Sequence, residues 1–261
     1  MDSRIQAYLR FAASHQRDIK QIGPFLATFN RHNANPFLNY AIPDDGATPS
    51  KSDVAALIAA YESCDRSSDS LQEYRIPRLE YVQRLAPAVE PALTAAGFTI
   101  EGCLPLMTCT PGAEQLLPIP PGIELILPSS DAELLATVTV QNEAYGGLEP
   151  SPEDVRSLQN SLTAGGIAVL ARDVLTGEPA GAGVCSVPGD ATTEIAGIGV
   201  RIPFRRRGVA GAITTRLVQE AFKSGVSLAF LMAAHDAEAR IYTRAGFSPI
   251  GEILHISRPR K

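Results

Sequence analysis

The chain has 261 residues, of which 45% are hydrophobic and 20% are charged, and its formal net charge is −5. This length and composition predict one large or two small globular domains with real cores. The acidic balance argues against a nucleic-acid partner, for which a basic domain is expected. The sequence has no apolar run of the roughly 18 residues that a spanning helix needs, so no membrane partner is expected.

The cysteines predict a reducing environment. Cys64, Cys103, Cys109 and Cys185 show no C-x-x-C spacing and no paired histidine motif, so free thiols and no metal site are expected. The first residues, Met-Asp-Ser-Arg-Ile-Gln, lack the apolar segment of a signal peptide. These features together predict a cytoplasmic location.

The first part of the chain has the weaker patterning. Residues 1–20 predict an amphipathic helix, residues 39–46 a strand that runs into a turn, and Lys51–Ser63 a helix that Ser52 or Asp53 caps.

A proline-rich segment divides the chain. Residues 111–122 read Pro-Gly-Ala-Glu-Gln-Leu-Leu-Pro-Ile-Pro-Pro-Gly, which cannot sustain a helix or a central strand. We therefore predict a first domain at 1–110, a linker at 111–122 and a second domain at 123–261.

The second half predicts the order β-α-α-β-β-β-α-β-α-β. Asp131 is the predicted N-cap of a helix that ends near Tyr145, and Ser151 followed by Pro152 begins the next helix. Strands are predicted at 123–127, 167–172, 180–187, 193–200 and 227–234.

A basic loop stands out against the acidic background. Residues 204–212 read Phe-Arg-Arg-Arg-Gly-Val-Ala-Gly-Ala, after a strand-like run and before a helix predicted from Val209 to about Lys223. This arrangement binds phosphate, because the first-turn N–H groups and the helix dipole favour an anion. The alternative is a solvated arginine run that caps an ordinary helix. Neither a Walker nor a dinucleotide-binding motif is present.

Two motifs carry a family resemblance. Arg205-Arg-Arg-Gly208-Val-Ala210 matches [Q/R]-x-x-G-x-[G/A], and Tyr242-Thr-Arg-Ala-Gly246-Phe247 follows it at the expected distance. Together they resemble the GNAT N-acetyltransferase superfamily over about residues 123–257. The resemblance implies an α/β (α+β) fold with a mixed, mainly antiparallel sheet flanked by helices. It also implies direct transfer of acetyl from acetyl-CoA to an amine of a small molecule or peptide.

The resemblance implies how acetyl-CoA binds. The strand before the loop would pair through its backbone with the pantetheine arm, and the loop would hold the pyrophosphate. The expected donor-binding residues are Ile198, Gly199, Val200, Arg205, Arg206, Arg207, Gly208, Val209, Ala210 and Gly211.

The resemblance also assigns the proton chemistry. Tyr242 would be the general acid that protonates the leaving thiolate, and Glu194 the base that takes a proton from the ammonium. Tyr242 could instead be a packing residue, and Glu194 a solvated strand end. His235 stands where the family commonly has Asn, and Glu238 where it usually has Ala, so these contacts depart from the pattern.

The acceptor amine is not identified by the sequence. Glu143 and Tyr145, at the end of an early helix, form the predicted rim of its site. A monomer or a homodimer is expected.

The first half resembles a degenerate copy of the second. Ala96-Gly97-Phe98 repeats the Ala-Gly-Phe of residues 245–247, which predicts a duplication whose first copy spans about 20–110. That copy has no arginine and glycine loop, and Leu93 occupies the place of Tyr242. Two alternatives to N-acetyl transfer stay open: a non-catalytic acyl-CoA-binding or interaction protein, and transfer of a longer acyl chain.

Overall fold

The computed structural model describes residues 1–15, 17–30, 38–63 and 76–259. They form two compact units, one made of residues 1–104 and 251–261 and the other of residues 105–250. The domain boundaries at 110 and 122 stay a prediction. Cys103, Cys109 and Cys185 are free thiols, as expected, whereas Cys64 lies outside the described residues. No helix in the described part of the chain is long and apolar enough to cross a membrane.

In its described residues, the first unit is a mainly antiparallel sheet with three α-helices. Its strand order is β1-β2-β3-β4-β11, in which β3 and β4 are parallel and the other pairs are antiparallel. The elements are α1 Asp2–Ser14, β1 Asp18–Ile22, β2 Phe25–Phe29, β3 Ala41–Pro43, α2 Lys51–Ser63, β4 Arg78–Val82, α3 Val89–Ala95 and β11 Ser248–Ser257.

Helix α2 begins at Lys51 as predicted, but its cap lies one residue earlier. The Ser50 hydroxyl accepts a hydrogen bond from the Asp53 N–H, and the Asp53 carboxylate accepts from the Ser50 N–H at 2.8 Å. The prediction of Ser52 or Asp53 as the cap was therefore wrong, because the reciprocal pair satisfies two N–H groups at once.

The second unit repeats this pattern in a longer form. Its strand order is β5-β10-β9-β8-β7-β6, with β9 and β10 parallel and the other pairs antiparallel. The predicted element order from β6 to β11 is confirmed. The elements are β5 Thr99–Cys109, β6 Ile123–Ile126, α4 Asp131–Tyr145, α5 Pro152–Thr163, β7 Ile167–Asp173, β8 Pro179–Cys185, β9 Thr192–Val200, α6 Val209–Lys223, β10 Leu228–Met232 and α7 Asp236–Arg244.

Helices cover both faces of this second sheet. Helix α4 packs with Leu170 and Ala182 on one face, whereas α6 packs on the other. Gly181 of β8 faces α6. A Cβ at this position would lie 2.9 Å from Ile213 Cδ1, so the glycine allows α6 to pack closely on the strand. Helix α4 is capped by Ser130, whose side chain accepts from the Glu133 N–H, so the prediction of Asp131 as the cap was wrong.

Two strands cross the boundary between the units. The last residues of β5 pair antiparallel with β10, from Leu106 opposite Met232 to Cys109 opposite Ala229. The last residues of β11 pair with β4, from Ile253 opposite Val82 to Ser257 opposite Arg78. Each unit therefore contains a strand that comes from the other half of the sequence.

Candidate active site

Strand β9 has a free edge at its C-terminal end. It pairs with β10 through Thr192, Thr193 and Glu194, and no pairing with β10 follows in the described residues. Its register with β8 shifts between Ala182 and Val184, and Gly197 in this irregular stretch has a φ of 61°. A bulge at such a position bends the strand and leaves backbone groups unpaired. The parallel pair therefore opens into a gap beside residues 195–200.

Helix α4 packs closely against this part of β9. Gln141 Nε2 donates to the Gly197 carbonyl at 2.9 Å, and the Tyr145 hydroxyl donates to the Ile198 carbonyl at 3.3 Å. A Cβ on Gly199 would lie 2.6 Å from the Cβ of Ala144. Gly197 and Gly199 therefore make room for side chains of α4.

The basic loop joins β9 to an uncapped helix. Arg206 has a φ of 61° and Gly208 a φ of 93°, and Gly208 is the N-cap of α6 without any side-chain hydrogen bond. Arg205 Nε donates to the Val200 carbonyl at 2.9 Å, and Arg207 Nη2 donates to the Pro121 carbonyl at 3.4 Å. The N–H groups of the first turn of α6 therefore meet no capping side chain, which leaves them available for an anion.

A cavity of 790 Å³ connects the strand edge with the loop. The structure brings all ten predicted donor-binding residues together in its lining: Ile198, Gly199, Val200, Arg205, Arg206, Arg207, Gly208, Val209, Ala210 and Gly211. Its other walls are Ala144 and Tyr145 from α4, Glu238, Ile241 and Arg244 from α7, and residues 117–121 with Phe204. Tyr145 was predicted at the rim. No pattern in the sequence pointed to residues 117–121, which were predicted to belong to a linker.

The charges in the lining are unequal. The cavity has four arginines, and Glu238 is the one carboxylate among its described lining residues. Most of the Tyr145 ring is exposed, yet burial of its hydroxyl end raises the pKa of Tyr145, and the charges of Glu238 and Glu194 raise it further. The arginine side suits a polyanion, and Glu238 suits a cation. No group of acids, histidines and cysteines that could hold a metal occurs in the described residues.

Tyr242 is buried beside the cavity and is absent from its lining. Its ring packs edge-on against Phe247, with 6.3 Å between the centroids. Burial raises the pKa of Tyr242, and the charges of Glu238 and Tyr145 raise it further. The phenol therefore stays protonated through neutral pH, as a hydrogen-bond donor must. The same shift makes Tyr242 a weaker acid than an ordinary phenol.

Glu194 is the last residue of β9 that pairs with β10, and it lies opposite Phe230. It is partly buried and does not line the cavity. Its carboxylate is near enough to Tyr145 to raise the pKa of that phenol. The two predicted proton-transfer residues thus lie around the same tyrosine, outside the lining itself.

Two other polar candidates have structural partners. His235 is the N-cap of α7, and its Nδ1 accepts from the Glu238 N–H at 3.3 Å. Glu143 accepts two hydrogen bonds from Arg201, at 2.6 and 2.7 Å, which holds the pKa of this carboxylate below its usual range. The charge of Glu143 is therefore already paired with Arg201. Glu238 is the better candidate for contact with a cationic amine, because it lines the cavity.

Comparison with known proteins agrees with this geometry. Residues 135–247 match the acetyltransferase (GNAT) family model. A GCN5-related N-acetyltransferase from Kribbella flavida is 25% identical with a TM-score of 0.81, over 100% of this chain and 96% of its own. A GCN5-related N-acetyltransferase from Sphaerobacter thermophilus is 17% identical with a TM-score of 0.68, over 91% of this chain and 78% of its own, and it supports the fold alone.

The fold is also shared with a two-domain relative. A tandem GNAT protein from the clavulanic acid biosynthesis pathway is 13% identical with a TM-score of 0.62, over 91% of this chain and 79% of its own. A search of curated proteins found no significant sequence match. Residues 135–247 therefore resemble an acetyltransferase (GNAT) domain, and the mixed, mainly antiparallel α/β fold of the chain confirms the predicted class.

Proposed function

We propose that the chain is an acetyl-CoA-dependent N-acetyltransferase whose acceptor is an amine of a small molecule or peptide. One observation carries the proposal. A single cavity joins the unpaired edge of β9 to the uncapped N-terminus of α6, and all ten predicted donor-binding residues line it. Such a cavity suits a ligand with an amide-bearing arm and a diphosphate.

In this proposal the donor lies along the edge of β9 and ends at the basic loop. The amide groups of pantetheine pair with the backbone of residues 198–200, in place of the missing strand. The pyrophosphate accepts hydrogen bonds from the first turn of α6, and Arg205, Arg206 and Arg207 add charge-assisted contacts.

The transfer is a direct attack of a neutral amine on the thioester carbonyl. The N–C bond forms to give a tetrahedral oxyanion, which collapses as the C–S bond breaks. The nitrogen then gives its extra proton to the departing thiolate, so that the products are an amide and the CoA thiol. Tyr242 donates a hydrogen bond to the sulfur as negative charge develops there. A thiol has an ordinary pKa near 8.5 and a phenol near 10, so the raised pKa of Tyr242 favours stabilisation of the thiolate over complete proton transfer. Glu194, directly or through water, takes the proton that the ammonium loses.

Glu238 supports a cationic acceptor. Its carboxylate lines the cavity and is near enough to Tyr145 and Tyr242 to raise the pKa of both phenols. A negative charge beside the reacting end attracts a protonated amine before it loses its proton.

The test combines binding with turnover. Calorimetry should detect CoA and a weaker interaction with pantetheine, which lacks the phosphates. Release of free thiol from acetyl-CoA is then measured with a panel of amines. Binding of CoA without thiol release from any amine would favour the non-catalytic alternative, whereas no binding of CoA would overturn the donor site.

Variants separate the proton chemistry from binding. Tyr242→Phe should lower kcat by about 10²–10⁴ while the dissociation constant of CoA is kept, because the ring still packs against Phe247. Glu194→Gln should slow the reaction most at lower pH, where more amine is protonated. An unchanged rate for Tyr242→Phe would return this residue to a packing role.

A further inference from the structure

Residues 117–121, here called the proline strap, lie against the basic loop and have a fixed course. Before the strap, the Gln115 N–H donates to the Ala245 carbonyl at 3.1 Å, and the Thr215 hydroxyl donates to the Gln115 carbonyl at 3.1 Å. After it, Ile123 pairs with β7. Because proline has a fixed φ, three prolines in five residues stiffen the segment between these anchors.

The strap contacts the part of the cavity expected to hold phosphate. Pro120 Cγ lies 3.8 Å from the Cβ position of Gly208, and the Pro121 carbonyl accepts a hydrogen bond from Arg207. A Cβ on Gly211 would lie 2.8 Å from Leu117 Cδ1. Gly211 therefore gives space to the strap, where the sequence alone suggested space for a phosphate.

The end of the cavity where pantetheine is proposed to lie is walled by β9 and α4. Residues 197–199 of β9 contact Gln141, Ala144 and Tyr145 of α4. If pantetheine follows β9 and the diphosphate reaches the loop, the part of CoA that continues past the loop is its adenosine. The strap lies against that loop, where it contacts Gly208 and Arg207.

We propose that the proline strap binds the adenosine of CoA, with the side chain of Ile119 packed on the base. This inference rests on the proposed function. Ile119 lines the cavity and is 49% exposed, so it has apolar surface for a planar base to cover. Prolines beside it add further apolar surface, and the nearby arginines face the phosphates.

The experiment compares two substitutions on neighbouring residues. Leu116 is 70% exposed and does not line the cavity, so Leu116→Ser is the matched control for Ile119→Ser. Dissociation constants are measured by calorimetry on the full chain for CoA and for 4′-phosphopantetheine, which lacks the adenosine together with its two phosphates. Ile119→Ser should weaken CoA binding about three- to tenfold, in line with the loss of apolar contact, and leave 4′-phosphopantetheine unchanged. Leu116→Ser should change neither.

The outcomes separate this inference from the function on which it rests. Wild-type protein that binds CoA no more tightly than 4′-phosphopantetheine would overturn the role of the strap and leave the donor site intact. Equal weakening of both ligands by Ile119→Ser, or equal effects of the two substitutions, would do the same. A wild-type protein that binds neither ligand would overturn the donor site and the strap together.

Discussion

The two units contain helices at the same place in the fold, with opposite N-terminal chemistry. Helix α2 follows β3 and helix α6 follows β9, each the last strand of an antiparallel series, and each helix leads to a strand parallel to the one before it. In α6 the N-cap is Gly208, without a side-chain cap and open to the cavity. In α2, Ser50 and Asp53 cap each other, and hydrogen bonds from Ser50 hold the pKa of Asp53 below its usual range. A carboxylate of the protein stands in the first unit where a phosphate is proposed in the second.

The strands that follow these helices differ as well. Strand β10 is apolar, Leu-Ala-Phe-Leu-Met, and belongs to a hydrophobic core. In β4, Arg78 is fully buried and bonds Glu80, with further contacts to Glu101 at 2.8 Å and His255 Nδ1 at 3.0 Å. Burial alone would raise the pKa of Glu101, but hydrogen bonds from Ser257 and Arg78 lower it. Two units with a common topology therefore differ in whether the helix N-terminus is open to a ligand, and in whether the next strand is apolar or carries buried charges.

The largest expected effect concerns strand β5, the end of which pairs with β10 in the second unit. A fragment of residues 105–250 keeps the end of β5, whereas a fragment of residues 111–250 loses it and exposes the edge of β10. Met107 and Cys109 are 1% exposed, and burial of such side chains stabilises by about 1.5–3 kcal/mol each, a large share of a typical 5–15 kcal/mol. We expect a cooperative thermal transition for the longer fragment and none for the shorter. Equal melting temperatures would contradict the structural role of β5.

The next largest effect is a loss of stability in the first unit when the buried ion pair between Arg78 and Glu80 is removed. Arg78→Met should lower the free energy of unfolding by about 3–5 kcal/mol, because it leaves Glu80 buried without its cation. Urea denaturation measures this loss, and the dissociation constant of CoA should not change. Arg84→Met is the control, since Arg84 pairs with Asp2 at the surface and such pairs contribute about 0–1 kcal/mol.

The third prediction gives α6 a carboxylate in its first turn, like the one that Asp53 provides in α2. Ala210→Asp places a carboxylate in the first turn, where it should stabilise the helix by about 0.3–1 kcal/mol. The same charge repels the pyrophosphate, so CoA binding should weaken by at least about tenfold. Ala210→Asn is the neutral control of similar size. Melting temperature and affinity should thus move in opposite directions, and a carboxylate that leaves affinity unchanged would exclude α6 as the phosphate site.

The sequence was sufficient for what depends on local signals. The loop at 204–212 and helix α6 follow from short-range patterns of strand, glycine, arginine and helix, whereas the ten predicted donor-binding residues follow from the resemblance that two short motifs carry. The caps were displaced by one to three residues because Ser-Ser-Asp and Ser-Lys-Ser-Asp each offer several capping side chains. The course of residues 117–121, the pairing of β5 with β10 and the contact between Glu143 and Arg201 depend on distant parts of the chain, which no local pattern specifies.

The smallest expected effect concerns the free edge of β9. The Tyr145 hydroxyl donates to the Ile198 carbonyl and Arg205 donates to the Val200 carbonyl, so side chains of the protein already use two acceptors on one side of β9. A pantetheine arm that pairs with β9 must compete for them. Tyr145→Phe removes one competitor, and pantetheine and CoA should then bind about two- to tenfold more tightly, the range of a single hydrogen bond. ADP, which has no such arm, is the control ligand and should be unaffected. Weaker binding of pantetheine would mean that the Tyr145 hydroxyl contacts the ligand itself, and it would move this residue from competitor to binding partner.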